Sequence, residues 1–138
     1  MENKIFLDIN IVIDLVEPTR NNHDRALLML KKCIDDDFTI YISEDMISTV
    51  YYLIPNKSRS IRFFKGILDE WQISPFGRNV LKQAFDFSLK NDLDLEDALQ
   101  CFCAKENGCS LFLTSDKKFA DCGIKIVNYD EFLGVKYD

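Results

Sequence analysis

The chain opens with the sequence Lys4-Ile5-Phe6-Leu7-Asp8-Ile9-Asn10, in which three consecutive apolar residues run into an aspartate. A second apolar segment, Ile11-Val12-Ile13-Asp14-Leu15-Val16, follows at once and has the character of a helix. A short apolar run bounded by polar residues is typical of a buried strand in a parallel sheet. An acid at the last position of such a strand faces the crevice where open α/β sheets bind their ligands. Asp8 is therefore the first candidate functional residue.

The composition predicts an ordinary globular protein of one domain, residues 1–138. Of the 138 residues, 47% are hydrophobic and 29% are charged, which argues against disorder. No apolar run approaches the roughly 20 residues that span a bilayer, and the N-terminus shows no signal peptide, so we expect a cytoplasmic protein without membrane contact. The net charge of -6 disfavours a protein that coats nucleic acid, but it is compatible with a nuclease whose acids form a metal site.

Five cysteines occur, at positions 33, 101, 103, 109 and 122. An odd number in a chain without a secretory signal speaks against a disulfide framework. A zinc ribbon would need a second close pair of cysteines and several histidines, whereas the chain contains one histidine, His23. The pattern therefore predicts buried free thiols.

Strand and helix patterns alternate along the chain. Beyond the first apolar run, β-rich segments lie at residues 38–42, 71–74, 111–114 and 124–127. Helical spacing of apolar residues follows each of the first three strands, a short turn through Phe119 connects the fourth strand to the fifth, and a last helical turn closes the chain at 129–133. This alternation predicts a three-layer α/β/α sandwich around a mostly parallel, five-stranded sheet.

Three acids are predicted to meet at one edge of this sheet. In a βαβ unit, the carboxyl ends of the strands and the amino ends of the helices share that edge. Asp8 ends the first strand, Asp116 follows the fourth, and Asp97 lies in the first turn of the helix that leads into the fourth. Helix geometry turns Glu96 about 100° away from Asp97 and Asp94 only about 60° away, so Asp94 is the better candidate for a fourth acid.

Crowded carboxylates raise one another's pKa unless a cation compensates their charge. Oxygen ligands without histidine suit Mg²⁺ or Mn²⁺, and such ions activate water and neutralise charge on a phosphodiester. Structural explanations also exist for some of these acids. Asp94 and Glu96 would favour a helix N-terminus electrostatically, and Asp116 would cap the turn into Phe119.

Three motifs, in this order, resemble those of PIN-domain nucleases. Phe6-Leu7-Asp8-Ile9-Asn10 is similar to their opening strand, which usually ends in Asp-Thr-Asn. The helix that carries their third acid resembles Leu95-Glu96-Asp97-Ala98-Leu99. Their Thr-x-Asp-x-x-Phe signature resembles Leu113-Thr114-Ser115-Asp116-Lys117-Lys118-Phe119. The resemblance extends over essentially the whole chain and is closest to the small VapC-like toxin ribonucleases.

The resemblance implies a divalent-metal-dependent endoribonuclease that cleaves RNA phosphodiesters. Mg²⁺ or Mn²⁺ would be held by Asp8, Asp97 and Asp116. Asn10 would support this site together with the hydroxyl of Thr114 or of Ser115. The same resemblance implies the toxin of a type II toxin–antitoxin system, with an antitoxin protein as its partner and a homodimer as its assembly.

The sequence departs from the family pattern at two positions. Ile9 stands where threonine is usual, and the second family acid, a glutamate in the helix after the second strand, corresponds to Thr49. Glu44 and Asp45 lie about one turn earlier and are candidate substitutes, although the preference for acids at helix N-termini also explains them. The alternative is therefore a catalytically degenerate PIN-like module that binds RNA or protein. A phosphatase-like enzyme is disfavoured because Asn10 replaces the second aspartate of a DxD motif.

Local positive charge provides candidate contacts for RNA phosphates. One basic group surrounds the helix that begins near Ser58, and another adjoins Asp116. The predicted RNA-binding residues in these groups are Arg59, Arg62, Lys117 and Lys118. A solvated helix face is the structural alternative for the first group.

Overall fold

The computed structural model describes residues 3–119 and 121–134 and contains a five-stranded sheet. The strands are β1 (Asn3–Leu7), β2 (Phe38–Ser43), β3 (Gln72–Ser74), β4 (Leu111–Leu113) and β5 (Lys125–Val127). They lie in the order β3-β2-β1-β4-β5, and all neighbours are parallel. The predicted strands are thus confirmed, with ends that differ by about one residue.

Helices cover the sheet. Those in the described part of the chain are α1 (Ile9–Val16), α2 (His23–Asp35), α3 (Asp45–Leu53), α4 (Lys57–Ile67), α5 (Gly77–Asn91), α6 (Leu95–Glu106) and α7 (Tyr129–Leu133). One group consists of α5 packed against α6, and another of α2 packed against α1 and α7. The predicted three-layer α/β/α sandwich is confirmed. None of the described helices combines the length and the apolar character needed to cross a membrane.

β1 lies at the centre of the sheet, between β2 and β4. Phe6 pairs in register with Tyr41 on one side and with Phe112 on the other. The rings of Phe6 and Phe112 stack with their centroids 5.3 Å apart. The Ile5–Leu7 run is fully buried, as expected for a strand covered on both faces. This central position brings Asp8, the next residue, to the middle of the sheet's carboxyl edge.

α1 is buried over Ile11–Val16, and this buried segment includes an acid, Asp14. The Tyr129 hydroxyl donates a hydrogen bond of 2.8 Å to Asp14 Oδ2, and Arg20 Nε donates one of 3.1 Å to Asp14 Oδ1. A buried carboxylate is tolerated only where such donors replace water. Asp14 therefore fastens α1 to α7 and to the segment that precedes α2.

The prediction of free thiols is wrong for two of the five cysteines. Cys101 on α6 and Cys122, between β4 and β5, form a disulfide with their Cα atoms 6.1 Å apart. The other three cysteines, Cys33, Cys103 and Cys109, are free and buried as predicted. The argument from an odd cysteine count failed because it addresses disulfide frameworks of secreted domains. A cysteine count does not indicate which cysteines the fold brings together. Cys101 and Cys122 are 21 residues apart in the sequence and meet only because of the topology.

Candidate active site

Asp8 lies at the junction of β1 and α1, where it is the N-cap residue of α1. Its backbone is extended, and its Oδ1 accepts a hydrogen bond of 2.9 Å from the Ile9 amide. Its Oδ2 accepts a bond of 2.7 Å from the Thr114 hydroxyl, and the residue is 5% exposed. Burial raises the pKa of the Asp8 carboxyl above its ordinary value, while these two hydrogen bonds oppose the shift and the charge of Asp116 adds to it.

Thr114 links Asp8 to Asp116. Because β1 and β4 are neighbours, the Asp8 amide donates a hydrogen bond of 2.9 Å to the Leu113 carbonyl. One residue further along, Thr114 Oγ1 donates to the Asp8 carboxylate and accepts a bond of 3.1 Å from the Asp116 amide. A single buried hydroxyl therefore bridges the ends of two adjacent strands and brings both acids to the same edge of the sheet.

Asp97 reaches this edge from the first turn of α6, where it is partly buried. Its carboxyl has a pKa raised to about 7, first by burial and then by the negative charges of Asp94, Asp8, Asp116 and Glu96. Acids that follow two strands, Asp8 and Asp116, and acids at the start of α6 thus all oppose the ionisation of the Asp97 carboxyl. A strongly perturbed carboxyl of this kind is typical of a functional site.

The two other acids at the start of α6 have different surroundings. Asp94 is the N-cap residue of α6, and its Oδ1 accepts a hydrogen bond of 3.0 Å from the Asp97 amide. Burial, and then the charges of Asp94, Asp8 and Asp45, raise the pKa of the Glu96 carboxyl. Glu96 is therefore within electrostatic reach of Asp8. Helix rotation disfavours Glu96 as a fourth acid, and the choice of Asp94 over Glu96 stays a prediction.

α3 carries the residues that bear on the second family acid. Thr49 lies inside α3 and is partly buried. Asp45 begins the helix and is exposed, and its charge contributes to the raised pKa of Glu96. Glu44 precedes it at the N-cap position, where its amide donates a hydrogen bond of 2.9 Å to the Ser74 carbonyl. Asp45 therefore extends the group of acids towards α3.

The three residues predicted to support the site occupy different positions. Thr114 is buried and contacts Asp8 as described above. Ser115 is exposed on the connection after β4, and Asn10 lies in the first turn of α1, partly buried. Of the two hydroxyl groups that sequence left open, the one of Thr114 contacts the acid.

A cavity of about 560 Å³ opens beside Asp116. Asn22 and Arg25, at the start of α2, contribute to its wall together with Lys117. The Asn22 side chain makes no capping hydrogen bond to α2, whereas Arg25 Nη2 lies 3.1 Å from Asp130 Oδ1. Sequence reasoning missed Asn22 and Arg25 because only the strand order places the start of α2 near the end of β4.

The predicted basic residues fall into two separate regions. Lys117 and Lys118 are exposed beside Asp116. Arg59 and Arg62 line a cavity at the other end of α1, and Arg59 Nη1 lies 3.2 Å from the carboxylate of Glu17. An eight-residue helix is about 12 Å long, at about 1.5 Å per residue, so the two arginines lie roughly that far from Asp8 along α1.

Comparisons with known proteins agree with the motifs. Residues 5–125 match the family described as the PIN domain. The chain is 32% identical over 133 residues to Ribonuclease VapC1 of Aquifex aeolicus (strain VF5), an alignment that covers 94% of this chain and 92% of that protein.

Solved structures share the fold at low sequence identity. VapC20 of Mycobacterium tuberculosis, a sarcin-ricin loop cleaving toxin, matches with a TM-score of 0.70 and 13% identity over 87% of this chain and 95% of its own. A toxin-antitoxin complex from Klebsiella pneumoniae matches with a TM-score of 0.67 and 18% identity over 91% of this chain and 97% of its own. The family match and the sequence relative carry the assignment: the chain belongs to the PIN-domain family, among its VapC-like members.

Proposed function

We propose that this protein is a divalent-metal-dependent endoribonuclease and the toxin of a toxin–antitoxin pair. The observation that carries the proposal is the convergence of Asp8, Asp97 and Asp116, whose mutual repulsion contributes to raising the pKa of Asp97 to about 7. Such repulsion favours a bound cation, since a cation would restore the ionised state of all three groups. The relationship to a protein named as a ribonuclease supports the same reaction.

The donor set fits Mg²⁺ or Mn²⁺, because it consists of carboxylate oxygens. Within residues 3–119 and 121–134, no three acidic, histidine or cysteine side chains are already arranged as a complete ligand set. Binding of the ion is therefore supported by the chemistry of the donors and by the repulsion among them. It is not supported by a ligand set that is already in place. Asp8, Asp97 and Asp116 would hold it, and Asp94 would stay the helix cap that orients Asp97. A bound ion of this kind supplies activation of water and neutralisation of phosphate charge.

Asp45 and Glu96 supply the negative charge that Thr49 does not provide. The charges of Asp8 and Asp45 both help to raise the pKa of Glu96, so Glu96 is within electrostatic reach of the central acids and of the start of α3. The substitution Asp45→Asn tests this role, with Glu44→Gln as the matched control on the neighbouring residue. We expect slower cleavage for Asp45→Asn at limiting Mg²⁺ and little change for Glu44→Gln.

Single-stranded RNA would approach along the cavity beside Asp116. Lys117 lines this cavity and Lys118 is exposed next to it. Both would contact phosphates on either side of the phosphodiester that is cleaved. The amide of Asn22 is available for a base, because it does not cap α2. Arg59 and Arg62 would contact only a longer substrate, since they lie at the far end of α1.

The test is cleavage of a single-stranded RNA by the purified protein with Mg²⁺, with Mn²⁺ and with a chelator. We expect cleavage that requires either ion and that falls at least about 100-fold in Asp8→Asn. The matched control is Asp24→Asn, an exposed acid in the first turn of α2, which should cut at the normal rate. Absence of cleavage with both ions, from a protein that is folded, would refute the nuclease.

Thr49 favours a second candidate, a PIN-like module that binds RNA or protein without cutting. This module would bind RNA equally well with and without Mg²⁺, and Asp8→Asn would leave binding unchanged. The toxin role is tested separately in cells. An active toxin would arrest growth when expressed alone, and the product of an adjacent antitoxin gene would relieve the arrest.

A further inference from the structure

The connection between β4 and β5, here called the Asp116 loop (residues 114–119 and 121–124), carries one of the three central acids. The Cys101–Cys122 disulfide joins this loop to α6. Cys101 lies four residues after Asp97, one turn further along the same helix. The disulfide thus connects the helix that bears Asp97 to the loop that bears Asp116, although neither cysteine lies among the acids.

Non-covalent contacts hold the first part of the Asp116 loop. Thr114 is anchored to Asp8, and the Phe119 ring stacks on Phe112 with centroids 4.4 Å apart. The second part depends on α6, through the disulfide and through a hydrogen bond of 3.0 Å from Lys105 Nζ to the Cys122 carbonyl. Breaking the S–S bond removes the covalent attachment and leaves the hydrogen bond from Lys105.

The turn around Cys122 is closely fitted to α6. Gly123 has φ +102°, a conformation that other residues rarely adopt, and an added Cβ there would lie 3.3 Å from Lys105 Nζ. The Gly123 amide donates a hydrogen bond of 2.7 Å to Asp121 Oδ1. Cys101 is fully buried and Cys122 is 7% exposed, whereas Asp121 and Gly123, on either side of Cys122, are exposed. A reductant would therefore approach the disulfide from the side of Cys122.

We propose that Cys101 and Cys122 form a redox-sensitive clamp that fixes the Asp116 loop against α6, so that reduction loosens the loop and slows the nuclease. The effect on the nuclease rests on the proposed function, whereas the effect on the loop does not. The reductant is a dithiol, of the small-molecule or protein class. Oxidation by a disulfide of the same class restores the clamp.

The exchange is balanced in atoms and electrons. A thiolate of the dithiol attacks Cys122 Sγ and forms a mixed disulfide, and the Cys101 sulfur leaves as a thiolate that takes up a proton. The second thiol of the reductant then attacks its own mixed-disulfide sulfur and releases Cys122, which also takes up a proton. The protein gains two electrons and two protons, and the reductant becomes a disulfide.

The remaining cysteines do not compete in this exchange. Burial is the first cause that raises the pKa of the Cys33, Cys103 and Cys109 thiols, each to about 12. Thiols of this kind are almost never ionised near neutral pH and are poor nucleophiles. Cys101 and Cys122 form the disulfide found in the described part of the chain, so reduction acts on this pair.

The experiment compares full-length protein after treatment with a disulfide oxidant and after treatment with a dithiol. Alkylation under denaturing conditions should count three free thiols in the oxidised protein and five in the reduced protein. Amide hydrogen exchange of the Asp116 loop should become at least about 10-fold faster on reduction, and the Tm should fall by about 10 °C. RNA cleavage should slow several-fold and recover on reoxidation.

Two variants make the result specific. Cys122→Ala should resemble the reduced protein in loop exchange and should no longer respond to redox treatment. Cys33→Ala, which removes a buried free cysteine on α2, should keep the full redox response. The proposal is overturned if the oxidised protein contains five free thiols, or if reduction leaves the exchange of the loop unchanged. Loop exchange that responds to redox in a protein that cuts no RNA would refute the nuclease and leave the clamp intact.

Discussion

The Thr114 hydroxyl satisfies a buried oxygen of Asp8 at 2.7 Å and accepts the amide of Asp116. The substitution Thr114→Val keeps the shape of the side chain and removes both bonds. The Asp8 carboxyl then loses a contact that lowers its pKa, so it should ionise less readily and hold a cation less well. We expect RNA cleavage about 10-fold or more slower, in line with the loss of a hydrogen bond to a charged group. The measurement is the initial rate against Mg²⁺ concentration.

Thr114→Ser tests the cause of this loss, because serine restores the hydroxyl and removes only a methyl group. Its rate should lie close to that of the wild type. Thr39→Val, a matched change on β2, should leave the rate unaltered. Equal rates for Thr114→Val and Thr114→Ser would mean that packing, and not the hydrogen bond to Asp8, explains the effect.

The pKa of Asp97 leads to a second prediction at the residue scale. The carboxyl has a pKa near 7 in the metal-free fold, against a reference value of 3.8. Between these values the folded protein binds more protons than the unfolded chain, so its stability falls as the pH rises from about 4 to about 7. We expect a loss of about 1–2 kcal/mol, because solvent screens a partly exposed group. Thermal unfolding in a chelator should show Tm falling over this range.

Asp97→Asn should flatten that dependence and raise the Tm of the metal-free protein at pH 8. The variant keeps the helix cap, since the Asp94 side chain accepts the backbone amide of residue 97. Added Mg²⁺ should raise the Tm of the wild type at pH 8 and affect Asp97→Asn much less. A wild-type Tm that rises from pH 5 to pH 8 in the chelator would contradict the sign of this shift.

At the scale of elements, the buried carboxylate of Asp14 holds α1 in place. Tyr129→Phe removes the hydroxyl that donates to Asp14 Oδ2 and leaves that oxygen buried without this donor. We expect a loss of about 1–3 kcal/mol in the free energy of unfolding, measured with urea. Tyr52→Phe is the matched control, because Tyr52 is 78% exposed on α3. A change of similar size in both variants would show that Asp14 does not anchor α1 to α7.

The elements of this fold could be predicted because each carries its own local pattern. The Ile5–Leu7 run predicted the central strand, and the acid that follows it caps the next helix. The strand ends and helix starts then defined one edge of the sheet for Asp8, Asp97 and Asp116. The spacing of strands and helices in the sequence was sufficient to predict this shared edge, because the same topology rules apply to all parallel sheets.

Contacts between distant elements could not be predicted in this way. The Cys101–Cys122 disulfide depends on how closely a loop approaches α6, and no local pattern records that approach. The cavity beside Asp116 depends on the start of α2, which is far away in sequence. The effect of the Asp45 charge on Glu96 depends on how closely α3 approaches α6. Each of these features is set by tertiary packing and not by periodicity.

The proposed function requires the whole molecule to bind an anionic substrate although its net charge is -6. Bulk attraction to RNA is therefore weak, and binding of RNA would depend on local charge, namely the proposed metal site and the lysines beside it. Affinity for RNA should accordingly depend on the divalent ion more than on monovalent salt. A dependence of RNA affinity on the divalent ion would distinguish this protein from proteins that coat nucleic acid with a basic surface.

Assembly is the remaining property of the whole molecule. An apolar groove of about 530 Å³ lies between α3 and α4, lined by Ile47, Tyr51, Ile61, Phe64 and Leu68, among others. Ile61 and Leu68 are exposed there, about two helical turns apart on α4 and at its C-cap, and exposed apolar residues lining one groove are typical of an interaction surface. We expect a second copy of this chain to cover the groove, because a two-fold contact lets each copy bury the same apolar surface.

Light scattering after gel filtration should therefore give about twice the monomer mass of 16.1 kDa. Ile61→Asp places a charge in the groove and should convert the dimer to a monomer, since a buried unpaired charge is strongly unfavourable. Leu89→Asp is the control, as Leu89 is exposed on α5, away from the groove. A wild-type protein that is monomeric at all concentrations, and dimeric only with an antitoxin, would assign the groove to that partner. A dimer that survives Ile61→Asp would place the contact on another face.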